Sequence, residues 1–400
     1  MNFITRKLLP LLLVSTSIGY ALHAMDHVLP LCKDMSNQDL ILGIKELPEE
    51  LKRYIISFLL QNSLCNFKLY KTFNTQSIPT SLAFSPDGET VIIGFPESSI
   101  KDIRIHIWNL QTEKKIIKEV HEGNISCVTF SPNEKTYLTG SHDKTACVWN
   151  FNYACMPLGK LLTTFKGHTN SITSAVFSPN GENVLTGSAD TTACLWNSKT
   201  GELLQRFKGH SSKVTCVAFS PDGETILTGS TDTTACLWNS KTGQLLYSLT
   251  EGKAVTLVAF SLDGETAFIG SSRKLLSRWN SKTGELLETL SPSCYSTAHR
   301  AFSLTGETVL SSLAGKAACL CDLTTGELLA TLPGSPGTIT SGAFSLDGEM
   351  CVTGSLNRGV QVWKKYWCDF TNATPEEKEK LFKLFLTFYP FLHTKETQNK

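Results

Sequence analysis

A chain of 400 residues with 41% hydrophobic and 18% charged side chains is long enough for one large globular domain with short appendages, and too apolar to be disordered by default. With 37 basic and 36 acidic residues its net charge is +1, so it projects no global field toward phosphate backbones or anionic membranes. A nucleic-acid partner is therefore not expected.

In chain order, Arg6 and Lys7 precede an apolar run over residues 8–22, which Ala-Leu-His-Ala closes at Ala24. The pattern predicts a secretory signal peptide over residues 1–24. At about 15 residues the run falls short of the roughly 20 that a membrane span needs. No later segment is apolar for long enough to cross a bilayer, so an exported mature chain without a membrane span is expected. Residues 25–66 read as a linker with one amphipathic helix. Leu47, Leu51, Ile55, Phe58 and Leu59 share a helical face, and Pro48, Glu49 and Glu50 suit a first turn. This face, with Pro48, resembles the front half of an F-box, which docks on the adaptor subunit of cullin-type ubiquitin ligases. The resemblance is partial, because an F-box continues through further helices. The alternative is a helix that plugs the following domain.

Residues 67–365 are built on an internal repeat. Ala-Phe-Ser-Pro-Asp-Gly-Glu or a close variant occurs seven times, with its Phe at 84, 130, 177, 219, 260, 302 and 344. Nineteen residues after the Phe stand Trp149, Trp196, Trp238, Trp279 and Trp363, while Cys321 takes that place in the sixth unit and Trp108 follows Phe84 by 24. Each unit of about 42 residues reads as four short strands joined by tight turns. One such sheet cannot bury both faces alone, whereas radial stacking buries them against neighbours. Residues 67–73 alternate apolar and polar, and the last unit lacks a fourth strand of its own. The two deficits match, which predicts a closed ring of seven sheets.

The period, the Gly-His pairs at His168 and His210 and the Trp ending the third strand resemble the WD-repeat family. The resemblance implies an all-β, seven-bladed WD-repeat propeller, here with short N- and C-terminal helices. The family's Trp-Asp appears mostly as Trp-Asn, at Asn109, Asn150, Asn197, Asn239 and Asn280. It also implies a structural network in which His121, His168 and His210 bridge Asp143, Asp190 and Asp232 to a strand hydroxyl and to the indoles of Trp149, Trp196 and Trp238. Ser141, Ser188 and Ser230 are the expected hydroxyls, with Thr139, Thr186 and Thr228 competing from the same face. A constellation repeated three times is architecture, since a catalytic site is expected once. Units five and six place Glu251 and Ser293 at the His position and Arg273 and Gly315 at the Asp position, and no compensating motif is expected there.

Thirteen cysteines in an exported chain suggest disulfides, but position argues otherwise. Cys147, Cys194, Cys236 and Cys319 recur two residues before the Trp position, and Cys127 and Cys216 three before the Phe. They read as small apolar fillers, and the usage suits a reducing destination. No metal-ligand spacing and no nucleotide-binding or nucleophile motif is present, so no cofactor or metal is expected. In residues 366–400, Thr374 and Pro375 open a helix with an apolar stripe through Leu381, Leu384, Phe385, Phe388 and Tyr389, which Pro390 stops.

The expected function is a non-catalytic platform for binding other proteins. By resemblance, partners meet the rim around the channel, through side chains six and four residues before each Phe and one before each hairpin Asp. The rim residues singled out are Phe95, Lys101, His142, Lys213 and Leu356, with Phe95 brought there by a five-residue insertion in unit one. A second reading is a substrate adaptor of a cullin-type ubiquitin ligase, in which the F-box-like helix holds the adaptor subunit and the ring holds the substrate. Joined to an export signal, that reading suits a secreted effector. A propeller enzyme is the least favoured alternative.

Overall fold

The computed structural model describes residues 65–75, 77–96, 104–132, 135–151, 159–272, 276–290, 301–302, 308–313, 317–322, 328–332 and 339–367. The expected signal peptide, F-box-like helix and C-terminal helix, with Lys101, Arg273, Ser293 and Gly315, lie outside them. The chain divides into two compact units, Phe67–Lys365 and a unit formed by Met1–Asn66 with Tyr366–Lys400. Only the first falls largely within the described residues.

That unit is a seven-bladed β-propeller, made of seven four-stranded sheets. Blade 4 shows the pattern, with strands Val214–Phe219, Thr225–Ser230, Thr234–Asn239 and Leu245–Thr250 paired antiparallel in that order. The turn between its first two strands follows from Ser-Pro-Asp-Gly-Glu. Ser220 Oγ donates to Asp222 Oδ1 at 2.5 Å, the Glu224 amide donates to the same carboxylate at 2.9 Å, and Gly223 takes φ +73, a conformation natural to glycine. At the third-to-fourth turn, Asn239 Oδ1 accepts the amides of Lys241 and Thr242 at 3.1 and 2.9 Å. Asn109, Asn197 and Asn280 cap their own turns in the same way. An Asp carboxylate offers the same acceptor, which is why Trp-Asn serves where the family has Trp-Asp.

Ring closure is direct. Cys65–Asn74 pairs as the outermost strand of the last blade, beside Gly359–Trp367. Thr75 extends the seam, its amide and its hydroxyl both donating to Arg358 O at 2.8 and 2.7 Å.

The cores lie between blades. One joins Leu185, Ala193, Leu195 and Phe207 of blade 3 to Val214, Val217, Ile226, Cys236 and Trp238 of blade 4. Fully burying aliphatic side chains of this kind contributes about 1.5–3 kcal/mol each, and no blade could obtain that burial alone. Cys127, Cys147, Cys194, Cys216, Cys236 and Cys351 carry free thiols and nearly all are buried, and Cys319 and Cys321 are buried too. Burial pushes the thiols of Cys194 and Cys216 up to about 12, so they are packing groups with little thiolate character.

Candidate interaction rim and the network beneath it

In blades 2, 3 and 4 the side chains under the rim form a continuous hydrogen-bond circuit from Trp to Asp. In blade 3, Trp196 Nε1 donates to Thr186 Oγ1 at 2.8 Å, Thr186 Oγ1 lies 2.8 Å from His168 Nε2, and His168 Nδ1 lies 2.8 Å from Asp190 Oδ2. The other carboxylate oxygen accepts Thr192 Oγ1 and the Thr192 amide, and Oδ2 also accepts the Thr169 amide. The indole can only donate, and the single Thr186 proton has two acceptors in reach, His168 Nε2 at 2.8 Å and Cys194 O at 3.4 Å, of which Nε2 is the nearer. Given to Nε2, that proton goes with a neutral imidazole whose own proton is on Nδ1, the form that burial also favours. Burial lowers the His168 pKa, more than the neighbouring Asp190 raises it. Burial alone would raise Asp190, but the Thr192 hydroxyl, the Thr169 amide and His168 together outweigh it and hold the carboxyl at about 2. Blades 2 and 4 repeat the circuit through Thr139 and Thr228, with His121–Asp143 at 2.8 Å and His210–Asp232 at 3.0 Å.

The bridging hydroxyl is thus the threonine in all three blades. Ser141, Ser188 and Ser230 serve elsewhere. Ser230 Oγ donates to Ser212 O and accepts the Asp232 amide, both at 3.1 Å, which fixes the hairpin turn. Blade 5 corrects a second expectation, because Glu251 takes over from the missing His. Its carboxylate accepts Trp279 Nε1 at 2.8 Å and the Ser277 hydroxyl. The compensating group was legible at the His position, and only its chemistry went unread.

Of the rim residues singled out, His142, Lys213 and Leu356 are exposed. The two sets of rim positions meet through the backbone, with His142 N donating to Asn124 O at 2.9 Å and Thr231 N to Lys213 O at 3.1 Å. Phe95 is a correction. It is 3% exposed, packs in the core between blades 7 and 1, and its ring lies 4.4 Å from that of His106. The aromatic side chain gains more from that core than from solvent at the rim. Phe151 likewise turns inward, edge-on to Phe130 at 5.1 Å.

The hydroxyls four residues before the Phe also differ from expectation. Thr173 and Thr215 are the extra residues of β-bulges. Thr173 Oγ1 lies 2.6 Å from Val214 O, Thr215 Oγ1 lies 2.7 Å from Val255 O and Thr340 Oγ1 donates to Pro79 O at 2.8 Å. Each reaches the next blade, and Thr340 links the last to the first. They clasp the ring from inside and are not free contact groups.

The WD domain, G-beta repeat family model matches residues 113–150, 159–197, 201–239 and 326–364. These four segments are WD40 repeats. Each matched WD40 segment starts at or just before the outer strand of one blade and ends on the third strand of the next, so the repeat itself interlocks neighbours. Among similar proteins, the Periodic tryptophan protein 2 homolog of Neurospora crassa is 37% identical over 87 residues, 20% of this chain and 9% of that protein. Periodic tryptophan protein 2 of Saccharomyces cerevisiae is 33% identical over 90 residues, 22% and 9% of the two chains. Actin-interacting protein 1-2 of Arabidopsis thaliana is 30% identical over 87 residues, 21% and 13%. The chain therefore spans about a tenth of the length of these relatives. Among the described residues no cluster of His, Cys, Asp and Glu is placed to hold a metal ion.

Proposed function

We propose that the protein is a protein-interaction platform, a WD40 ring that holds a partner and performs no chemistry on it. The observation that carries this reading is the complete engagement of each His–Asp pair in a circuit that ends on a buried indole. That buried, recurrent arrangement of titratable groups is thereby committed to the fold. Around it a rigid ring presents side chains from many blades to one partner, which suits recognition. One relative is named for interacting with actin, a binding role, and that name supports the same class without identifying a partner here. Affinity capture on the full chain, repeated with His142→Ala, Lys213→Ala and Leu356→Ser combined, tests the reading. Specific protein partners of the parent are expected. Absence of any specific partner, together with turnover in a substrate panel, contradicts it.

A further inference from the structure

We infer that the main docking surface lies on the side of the ring opposite the predicted rim, along the outer strands and turns of blades 3 to 5. We further infer that it takes a protein segment with leucine-like side chains on one face and lysine or arginine beside them. The inference rests on the platform reading and assigns its surface and class of partner.

Exposed apolar side chains are distributed unevenly. Leu356 is the one large apolar residue exposed at the predicted rim among the described residues, whereas the opposite side carries leucine pairs at the start of successive outer strands. Register shifts leave Leu204, Leu246 and Leu287 as the extra residues of bulges in those strands. A bulge interrupts the alternation that would turn one leucine of each pair inward, so both stay exposed. In blade 5 the first turn adds Leu262, 65% exposed, where blades 3 and 4 have Pro179 and Pro221. Solitary exposed leucines are ordinary, but a recurring series along one flank marks an interaction surface.

Between blades 3 and 4 this flank opens into a groove of roughly 660 Å³ lined by Pro179, Leu204, Gln205, Phe219 and Pro221. At the next junction Tyr247 occupies the position of Gln205. Its ring packs against Gly284 and its hydroxyl donates to Lys282 O at 2.7 Å. The smaller Gln205 packs in the same way against Gly243 and lines the groove.

Charge identifies the occupant. The turns on this side of blades 3 to 5, residues 179–182, 198–202, 221–224, 240–244, 262–265 and 281–285, hold seven carboxylates and three lysines. Two of those lysines are already paired, Lys241 with Glu224 and Lys282 with Glu265. The leucines therefore lie in an acidic surround, which repels anionic lipid and favours basic residues flanking the apolar contacts.

The test measures binding of a fluorescent leucine–lysine amphipathic peptide to the full chain by anisotropy, with a leucine–glutamate peptide as control. Three forms are compared with the parent: Leu204→Ser, Leu246→Ser and Leu262→Ser combined; Gln205→Tyr, which copies blade 4; and the triple rim variant above. The first two are expected to weaken binding about tenfold or more with unchanged melting temperature, the rim variant to bind like the parent, and added salt to weaken binding. The inference is overturned if the parent does not bind the basic peptide, if it binds both peptides equally, or if only the rim variant loses binding. Partition onto neutral phosphatidylcholine vesicles without peptide binding also overturns it, in favour of a membrane surface. If this surface fails while affinity capture still yields partners lost in the rim variant, the platform reading stands and only its placement falls.

Discussion

Thr228 Oγ1 accepts the Trp238 indole at 2.9 Å and lies 2.8 Å from His210 Nε2 in a fully buried position. Thr228→Val keeps the shape but strands both partners, and a loss of about 1–3 kcal/mol in urea denaturation is expected. The circuit also sets the response to acid. Asp190 and Asp232 lie near 2 in the folded chain against an ordinary 3.8, so the stability they contribute is whole above about pH 4 and is lost as pH falls toward 2. His168 acts earlier. Burial lowers its pKa below 6.5, the unfolded imidazole takes up a proton first, and stability declines as pH drops through that value. A melting temperature that falls between about pH 7 and pH 5, and again below about pH 4, is expected. No change in the upper window contradicts the neutral imidazole. At this scale the sequence revealed His, Asp and Trp by spacing, but not which hydroxyl joins them. Thr228 and Ser230 lie two apart on one strand and share a face, so periodicity could not separate them. The register does, by placing Ile226 opposite Trp238 and Thr228 opposite Cys236.

At the scale of elements, neighbouring blades approach so closely that the Gly of each Thr-Gly-Ser strand is a packing requirement. A Cβ on Gly229 would lie 2.4 Å from Val255 Cγ1 of the next blade and 2.7 Å from Cys216 Sγ. Gly229→Ala should therefore cost about 1–3 kcal/mol through overpacking, read as a lower denaturation midpoint. An unchanged midpoint would mean that the blades can separate. Strand number, turn chemistry and the extra strand at the N-terminal end of the ring were all legible, because each depends on local pattern and chain order. The bulges were not. A bulge leaves no composition signal, and it is the bulge that turns Thr173 and Thr215 toward the next blade. Phe95 was misplaced for a related reason, since counting residues located its loop but not the cavity that its ring fills.

At the scale of the whole molecule, the account rests on closure. Phe73 packs with Leu82, Phe84 and Val91 of blade 1 and with Val352, Val360 and Val362 of blade 7, so one strand completes both a sheet and a core. A closed ring makes every blade depend on its neighbours and holds residues of different blades at fixed separations, as a multi-blade docking surface requires. The most direct test is deletion of residues 67–73, followed by thermal melting and sedimentation of the truncated chain. The expected result is a lowered melting temperature with self-association through the unpaired edge of Gly359–Trp367. A monomeric truncated chain with the parent's melting temperature would contradict the closed ring.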